Sequence, residues 1–299
     1  MLLLTLALLL GPADSTVVRD VEVAHGETLR TTSIGIGNGQ PIVLIPGIFG
    51  AAFGYRKITR PLVARGYRTI VIEPLGYGWS SRPKNADYSF DAQTERVARA
   101  LDRLGVKQAL LVAQSSGAAI AFRLAIQRPD LVRGLLSIDG GPAETAATPG
   151  MKKAFKLGGF MTKLAMDESR LRHEVRKEIV RNSGDTTWVT AAVIRAYTAG
   201  QNADLNGSID AFQRMSKSKE GDSLAGRLHR CEMPVRLLVG TVPHPAEVTR
   251  DQRELLRDQL PDFKSDSVTG SGQYIHEEQP LAVLAAVAEL DQATAAAGE

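Results

Sequence analysis

One serine lies in a sequence context that could support nucleophilic catalysis. The segment 110–125, LLVAQSSGAAIAFRLA, is an apolar run that leads into Ser115 and then into an alanine-rich stretch. A serine on a tight turn from a strand to a helix is held above the sheet when the residues two positions before and after it are small. Those residues are Ala113 and Gly117. We therefore predict Ser115 as a nucleophile, and the alternative is an ordinary strand-to-helix turn.

Short apolar runs alternate with amphipathic stretches, and this alternation predicts the elements that position the serine. The predicted strands cover 17–23, 28–36, 41–45, 69–72, 108–112, 134–138 and 235–239. The predicted helices between them cover 58–65, 91–104 and 116–127. Strands separated by helices at this spacing indicate parallel crossovers. The predicted fold class is therefore α/β, an open and mostly parallel sheet with helices on both faces.

The stretch between residues 138 and 235 interrupts this alternation. It has no strand pattern, and its helical patterns cover 155–166, 168–181, 188–199 and 209–217. A structureless loop of this length is improbable inside a compact domain, so we predict a helical cap above the edge of the sheet where ligands bind. The predicted domains are the two parts of a core, 16–142 and 233–299, and the cap, 143–232.

Composition excludes several classes of protein. The chain has 299 residues, of which 43% are apolar and 23% charged, as in globular proteins and unlike disordered or polytopic membrane proteins. Lys and Arg number 36 against 33 Asp and Glu, and the densest basic segment, 151–186, is interspersed with acids. We predict a solvated helix face there and no nucleic-acid partner. The five histidines show no metal-ligand spacing, so neither a metal nor an organic cofactor is expected.

The N-terminus resembles a secretory signal. Residues 2–10, LLLTLALLL, have the length of an apolar signal region and precede small residues near Ala13. This run is too short to span a bilayer. We predict that residues 1–15 are a signal peptide and that the protein is exported to the periplasm or secreted. Against this, no Lys or Arg precedes Arg19, so a misplaced start codon or an apolar N-terminal helix of a cytoplasmic protein is the alternative.

Four further motifs resemble those of the α/β-hydrolase superfamily, in its serine-hydrolase form with a helical cap. They are IVLIPGIFG at 42–50, PLGYGWSSRP at 74–83, RPDLV at 128–132 and GQYIHEEQP at 272–280. The resemblance extends over about residues 28–290 and implies the fold of that family. It does not by itself establish an activity.

The resemblance implies acyl transfer at Ser115. In such a reaction the backbone N–H groups of Ile48 and Ser116 would hold the oxyanion. Gly47 would allow the backbone to approach the substrate closely, and Phe49 would lie beside the substrate.

The catalytic base of the family does not occur at its expected position. The resemblance places that histidine at Gln273, whose amide has no nitrogen that titrates near neutral pH. His276 matches a second His or Gln of the same motif, and the alternative is a helix-start residue bonded to the backbone or to Glu277. His244, on a neighbouring loop, is another candidate for the proton acceptor.

The acid of the family is displaced as well. No carboxylate directly follows the predicted strand 235–239, and Glu247 lies beyond two prolines. Asp139 follows the preceding strand, at a position that some family members use for the acid. We predict Asp139 as the acid, and the alternative is an aspartate that closes the strand in a turn.

Three hypotheses account for Gln273. The base of a working hydrolase is displaced to His276 or His244, or the glutamine was introduced to trap a ligand, or the protein is a noncatalytic binder. We predict a serine hydrolase acting on a carboxylic ester or related acyl compound, impaired by loss of the histidine. The alternative is a noncatalytic protein of the same fold that binds a small ligand. The oligomeric state cannot be inferred.

Overall fold

Eight strands form one open sheet in the computed structural model, which describes residues 15–35, 37–147 and 166–296. The strands are β1 (Thr16–Ala24), β2 (Glu27–Ile34), β3 (Gln40–Ile45), β4 (Tyr67–Ile72), β5 (Ala109–Gln114), β6 (Val132–Ile138), β7 (Val235–Gly240) and β8 (Phe263–Val268). Their order across the sheet is β1-β2-β4-β3-β5-β6-β7-β8. Strand β2 is antiparallel to β1 and β4, and all other neighbours are parallel, which confirms the predicted sheet.

Helices follow most of the strands. They are α1 (Arg56–Ala64), α2 (Phe90–Arg103), α3 (Ser116–Gln127), α4 (Glu168–Arg181), α5 (Ala191–Ala203), α6 (Leu205–Met215), α7 (Arg250–Gln259), α8 (Ile275–Glu278) and α9 (Pro280–Ala296). Two 3₁₀ segments cover Ala52–Tyr55 and Ala225–Arg230.

Helices cover both faces of the sheet. Leu111 and Ala113 of β5 pack with residues of α2 and α3, whereas Leu110 and Val112 pack on the other face with residues of α1 and α9. Every residue of β5 is buried. Burial on both faces explains why the sequence of this strand is a continuous apolar run.

Strand β8 and helix α7 were not predicted. Strand β8 lies at an edge of the sheet, and residues 264–267 within its sequence FKSDSV are all exposed. Such a strand shows no apolar run or alternation. Helix α7 begins with a capping box in which the side chains of Thr249 and Gln252 each bond the other's backbone, and this signal can be recognised in a sequence.

Helices α4, α5 and α6 occupy the interval between β6 and β7, where a cap was predicted, and we refer to them as the cap helices. Three buried residues of α4, namely Leu171, Val175 and Ile179, pack with Trp188 and Tyr197 in an apolar cluster. The predicted helix 168–181 is confirmed as α4, whereas α5 and α6 begin at different residues from those predicted. Side chains of Thr190 and Asp204 cap these two helices and set their first residues. The predicted helix 155–166 falls almost wholly outside the described residues.

Among the described residues, no helix is both long enough and apolar enough to cross a membrane. Residues 1–14 of the predicted signal peptide lie outside the described part of the chain. The basic segment does present a solvated face where it is described, since Arg170, Arg176 and Lys177 of α4 are exposed.

Candidate active site

Ser115 stands on the turn between β5 and α3. Its backbone has a φ of 50° and a ψ of −124°, a conformation that residues other than glycine seldom adopt. A Cβ atom at Gly117 would lie 2.4 Å from the carbonyl oxygen of Ile45, so this position accepts only glycine without a backbone shift. The predicted requirement for a small residue after the serine therefore has a direct steric cause.

The loop after β3 packs against this turn through two hydrogen bonds. The N–H of Gly47 donates to Oε1 of Gln114 at 3.2 Å, and the N–H of Ile48 donates to Oγ of Ser116 at 3.1 Å. The N–H of Ile48, which was predicted to hold an oxyanion, thus already donates to the Ser116 hydroxyl. A Cβ at position 47 would lie 2.6 Å from Oε1 of Gln114, so a larger residue there would have to displace this amide.

Gln273 lies where the resemblance places a catalytic base. It follows β8 and donates a hydrogen bond from Nε2 to Oγ of Ser115 at 3.0 Å. The backbone of Gln273 is fixed by a hydrogen bond of 2.7 Å from its N–H to the carbonyl oxygen of Asn182, just after α4. An amide nitrogen that donates to the serine cannot also accept its proton.

Asp139 and His244 form a buried pair. Nε2 of His244 lies 2.9 Å from Oδ2 of Asp139, and both side chains are almost wholly buried. Burial raises the pKa of Asp139, and the neighbouring His244 partly offsets that rise. The predicted acid therefore pairs with His244 instead of with position 273. The other candidate acid, Glu247, is exposed.

His276 is buried in α8 and has no hydrogen bond to Ser115 among the described contacts. Its ring packs against Tyr55 and Tyr274, with ring centroids 5.2 and 6.1 Å away. Burial lowers the pKa of His276 to about 4, so the ring is neutral at neutral pH. The alternative interpretation of His276 was a residue bonded to the backbone or to Glu277. Within the described residues, its side chain forms neither hydrogen bond.

A cavity of about 600 Å³ opens beside Ser115, between the sheet edge and the cap helices. Ile48, Phe49, Ser116, Gln273 and His276 line it from the core. The opposite wall contains the apolar residues Met166, Leu171, Val175, Leu205, Ile209 and Phe212 and the polar residues Glu174, Glu178, Arg181, Tyr197 and Ser208. The apolar part of this wall suits an apolar group of a small molecule.

Phe49 joins the loop after β3 to the cap. Its ring meets that of Phe212 on α6 edge to face, with centroids 5.5 Å apart. His244 and Asp139 are not among the residues that line this cavity. The structure thus brings together five of the predicted residues in the lining of one cavity, namely Ser115, Ser116, Ile48, Gln273 and His276. The Asp139–His244 pair is not part of this lining.

No group of three or more His, Cys, Asp or Glu side chains within the described ranges is arranged to hold a metal ion. The sole cysteine, Cys231, is buried and unpaired, and burial raises the pKa of its thiol to about 12. It lies before β7 and is not among the residues lining the cavity.

Comparison with known proteins agrees with the architecture. A family model described as alpha/beta hydrolase fold matches residues 40–176. The structure of Cfl2 from Burkholderia cenocepacia superposes with a TM-score of 0.72 at 21% identity and covers 92% of this chain and 94% of its own. The chain has the α/β-hydrolase fold, as the sequence motifs predicted.

Two curated relatives are hydrolases. The 2-hydroxymuconate semialdehyde hydrolase of Pseudomonas sp. (strain CF600) is 33% identical over 145 residues, which are 47% of this chain and 50% of the relative. The sn-1-specific diacylglycerol lipase ABHD11 of Mus musculus is 26% identical over 260 residues, 82% of this chain and 79% of the relative. The match to the first relative thus spans only half of that protein's length.

Proposed function

We propose that this protein is a serine hydrolase that acts on a carboxylic ester or a related acyl compound, with Ser115 as the nucleophile. The observation that carries the proposal is the strained turn that holds Ser115 at the floor of an apolar cavity, with Gln273 hydrogen-bonded to its hydroxyl. The hydrolase relatives support the reaction class.

In the proposed reaction Oγ of Ser115 attacks the acyl carbon, and the alcohol leaves. The carbonyl oxygen becomes an oxyanion that the N–H groups of Ser116 and Ile48 stabilise. The Ile48 N–H can serve only after it leaves the Ser116 hydroxyl, to which it donates in the resting structure. Water then hydrolyses the acyl-serine, and the acid product is released.

The slow step of this reaction is the transfer of the serine proton. Gln273 donates to Ser115 and cannot accept that proton, and His276 has no hydrogen bond to Ser115 among the described contacts. The proton must therefore pass to water or to the leaving group. A positioned general base typically contributes about 10²- to 10⁴-fold to such a rate, so we propose an enzyme slowed by that order.

The test is hydrolysis of short p-nitrophenyl esters by the native chain and by Ser115→Ala, combined with a fluorophosphonate probe. We expect a slow rate that Ser115→Ala abolishes, and a covalent label found on Ser115 by peptide mass spectrometry. A matched control is Ser208→Ala, which removes a cavity-lining hydroxyl that bonds only backbone carbonyls. Equal rates for the native chain and Ser115→Ala would contradict the assignment.

A noncatalytic ligand-binding protein is the second candidate. Two contacts favour it, because the Ser116 hydroxyl occupies the Ile48 N–H and the Gln273 amide occupies the Ser115 hydroxyl. This alternative predicts that the fluorophosphonate leaves Ser115 unlabelled while a small apolar ligand binds tightly.

A further inference from the structure

A second polar feature of the cavity is formed by residues that the proposed chemistry does not use. Gly54, Tyr197 and His276 all line the cavity, and Gly54 is buried at the end of a 3₁₀ segment. A Cβ atom at Gly54 would lie 3.0 Å from Oη of Tyr197 and 3.7 Å from Nε2 of His276. Both polar atoms therefore lie close to the glycine, in a part of the cavity wall that all three residues form. We call this part of the cavity the Gly54 notch.

The Tyr197 hydroxyl lies at the notch and already donates a hydrogen bond to Oε1 of Glu277, at 2.9 Å. Both groups are buried. Arg56 pairs with the same carboxylate, and Nζ of Lys57 lies 3.3 Å from its other oxygen. The carboxylate that accepts the Tyr197 hydrogen bond is thus faced by two cations. The Tyr197 oxygen is left as a hydrogen-bond acceptor.

His276 supplies the complementary group. Burial keeps its ring neutral, and a neutral imidazole has one N–H donor and one acceptor nitrogen. Its Nδ1 is buried without a hydrogen-bond partner, and its Nε2 forms no hydrogen bond with any described residue. When the proton is on Nε2, the notch offers one donor and one acceptor within reach of one small group.

We propose that the Gly54 notch binds a hydroxyl group of the ligand, which donates to Oη of Tyr197 and accepts from Nε2 of His276. An alcohol does both at once through a single oxygen atom. A carboxylate or ketone has no proton to give to Tyr197. An ammonium group has none of the lone pairs that His276 requires, and it would join two cations that already face a single carboxylate.

This proposal deepens the proposed function, on which it rests for its substrate. It assigns the enzyme to acyl compounds that carry a hydroxyl group apart from the scissile bond. A site built around a hydroxyl discriminates against the analogue that lacks it, because its buried polar groups then stay unpaired.

The first measurement is binding to the Ser115→Ala chain, which does not depend on catalysis. Calorimetry compares hexane-1,2-diol and hexane-1,6-diol with 1-methoxypentane, which has an oxygen but no hydroxyl, and with hexylammonium and hexanoate as charged analogues. We expect at least one diol to bind about tenfold more tightly than 1-methoxypentane. The preference should disappear in Gly54→Ala, which fills the notch, and in Tyr197→Phe, which removes the acceptor but keeps the ring.

Tyr67→Phe is the matched control, because the Tyr67 hydroxyl also donates to a carboxylate, Asp291, at 2.6 Å but lies outside the cavity. It should keep the preference for the diol. Thermal unfolding of each variant establishes that it is folded. If Tyr197→Phe does not fold, Gly54→Ala serves as the test. Three results would overturn the proposal. The diols bind no better than 1-methoxypentane, their preference survives both notch variants, or hexylammonium or hexanoate binds more tightly than the diols.

The second measurement uses p-nitrophenyl hexanoate and its 3-hydroxy and 6-hydroxy derivatives. We expect a larger kcat/KM for a hydroxylated ester in the native chain and a loss of that advantage in Gly54→Ala. If the diols bind selectively but Ser115→Ala does not change hydrolysis, the proposed function fails and the notch stands. If Ser115→Ala abolishes hydrolysis but no hydroxylated ester is preferred, the notch fails and the proposed function stands.

Discussion

At the scale of single residues, the hydroxyl groups of Ser115 and Ser116 are both held by hydrogen bonds from neighbours. Gln273 donates to Ser115, and the Ile48 backbone donates to Ser116. Burial raises the pKa of Tyr77, which also lines the cavity, to about 12, and its contact with Ser116 opposes that rise. The resting site is therefore well ordered, and a substrate has to displace at least the Ile48 contact before the oxyanion is stabilised.

Ser116→Ala is expected to raise kcat/KM for p-nitrophenyl esters by about three- to tenfold. The variant frees the Ile48 N–H, and one neutral hydrogen bond is worth roughly 0.5–1.5 kcal/mol. Ser208→Ala is the control, because its hydroxyl lies in the same cavity and does not contact Ile48. A fall in kcat/KM for Ser116→Ala would show that the hydroxyl assists the reaction.

The stability of the protein is expected to fall between pH 6.5 and pH 4 because of His276. In the folded state, burial lowers the pKa of His276 to about 4, compared with 6.5 for a histidine that is exposed to water. Protons therefore bind the unfolded chain first, and the stability present above pH 6.5 is lost as the pH falls. Among the charged neighbours, Glu277 raises this pKa, whereas Arg56 and Lys57 lower it.

His276→Gln should remove this contribution. The native chain should lose up to roughly 3 kcal/mol more unfolding free energy than the variant between pH 6.5 and pH 4. Denaturant unfolding at a series of pH values measures the difference. His173→Gln, at an exposed position of α4, should keep the pH dependence of the native chain. Parallel curves for the native chain and His276→Gln would contradict the burial of a neutral ring.

At the scale of elements, the cap helix α5 packs directly onto the loop after β4. A Cβ atom at Gly200 would lie 2.1 Å from the carbonyl oxygen of Gly78, which is backbone and cannot move aside like a side chain. Glu73 fixes that loop by accepting from the N–H groups of Ala52 and Trp79, at 2.9 and 2.6 Å. The close approach of the helix to the loop therefore requires a glycine in α5.

Gly200→Ala is expected to destabilise the protein by about 2–3 kcal/mol through overpacking. Denaturant unfolding measures the change. Gly226→Ala is the matched control, because a Cβ there meets no atom within 4 Å. It should alter stability by no more than roughly 0.5 kcal/mol. Equal stability of the two variants would show that α5 can lift from the loop without cost.

Elements buried on both faces could be predicted from the sequence, and so could the edge strand β1, whereas the edge strand β8 could not. Strands β3, β5 and β7 are apolar runs because neighbours and helices cover them, whereas β8 has solvent on one side and a polar sequence. The starts of α5 and α6 were misplaced because the capping side chains of Thr190 and Asp204 fix them, not the apolar pattern.

At the scale of the whole molecule, the site is made by loops at the carboxyl ends of parallel strands. The positions of Ser115 and Gln273 could be predicted because each belongs to a local motif. The pairing of Asp139 with His244 could not, since residues 105 positions apart meet only through the adjacency of β6 and β7. The hydrogen bond from Ile48 to Ser116 was missed for the same reason, because it joins the loop after β3 to the turn after β5.

This arrangement bears on how far a single substitution can restore a catalytic triad. An imidazole at position 273 would lie beside Ser115, but the candidate acid Asp139 is already 2.9 Å from His244. Both oxygens of Asp139 are buried, and neither has a hydrogen-bond partner despite this short distance. His244 would therefore compete for the acid with a base restored at position 273, and we expect a rate gain at the low end of the range for a general base.

If Ser115 is a nucleophile without a base, Gln273→His should supply the missing base. The rate of p-nitrophenyl ester hydrolysis should rise by about 10²-fold or more, and Ser115→Ala should abolish that gain. Gln213→His, the same change on α6 outside the cavity lining, is the control and should leave the rate as it is. A Gln273→His rate equal to that of the native chain, in a folded protein, would contradict the account.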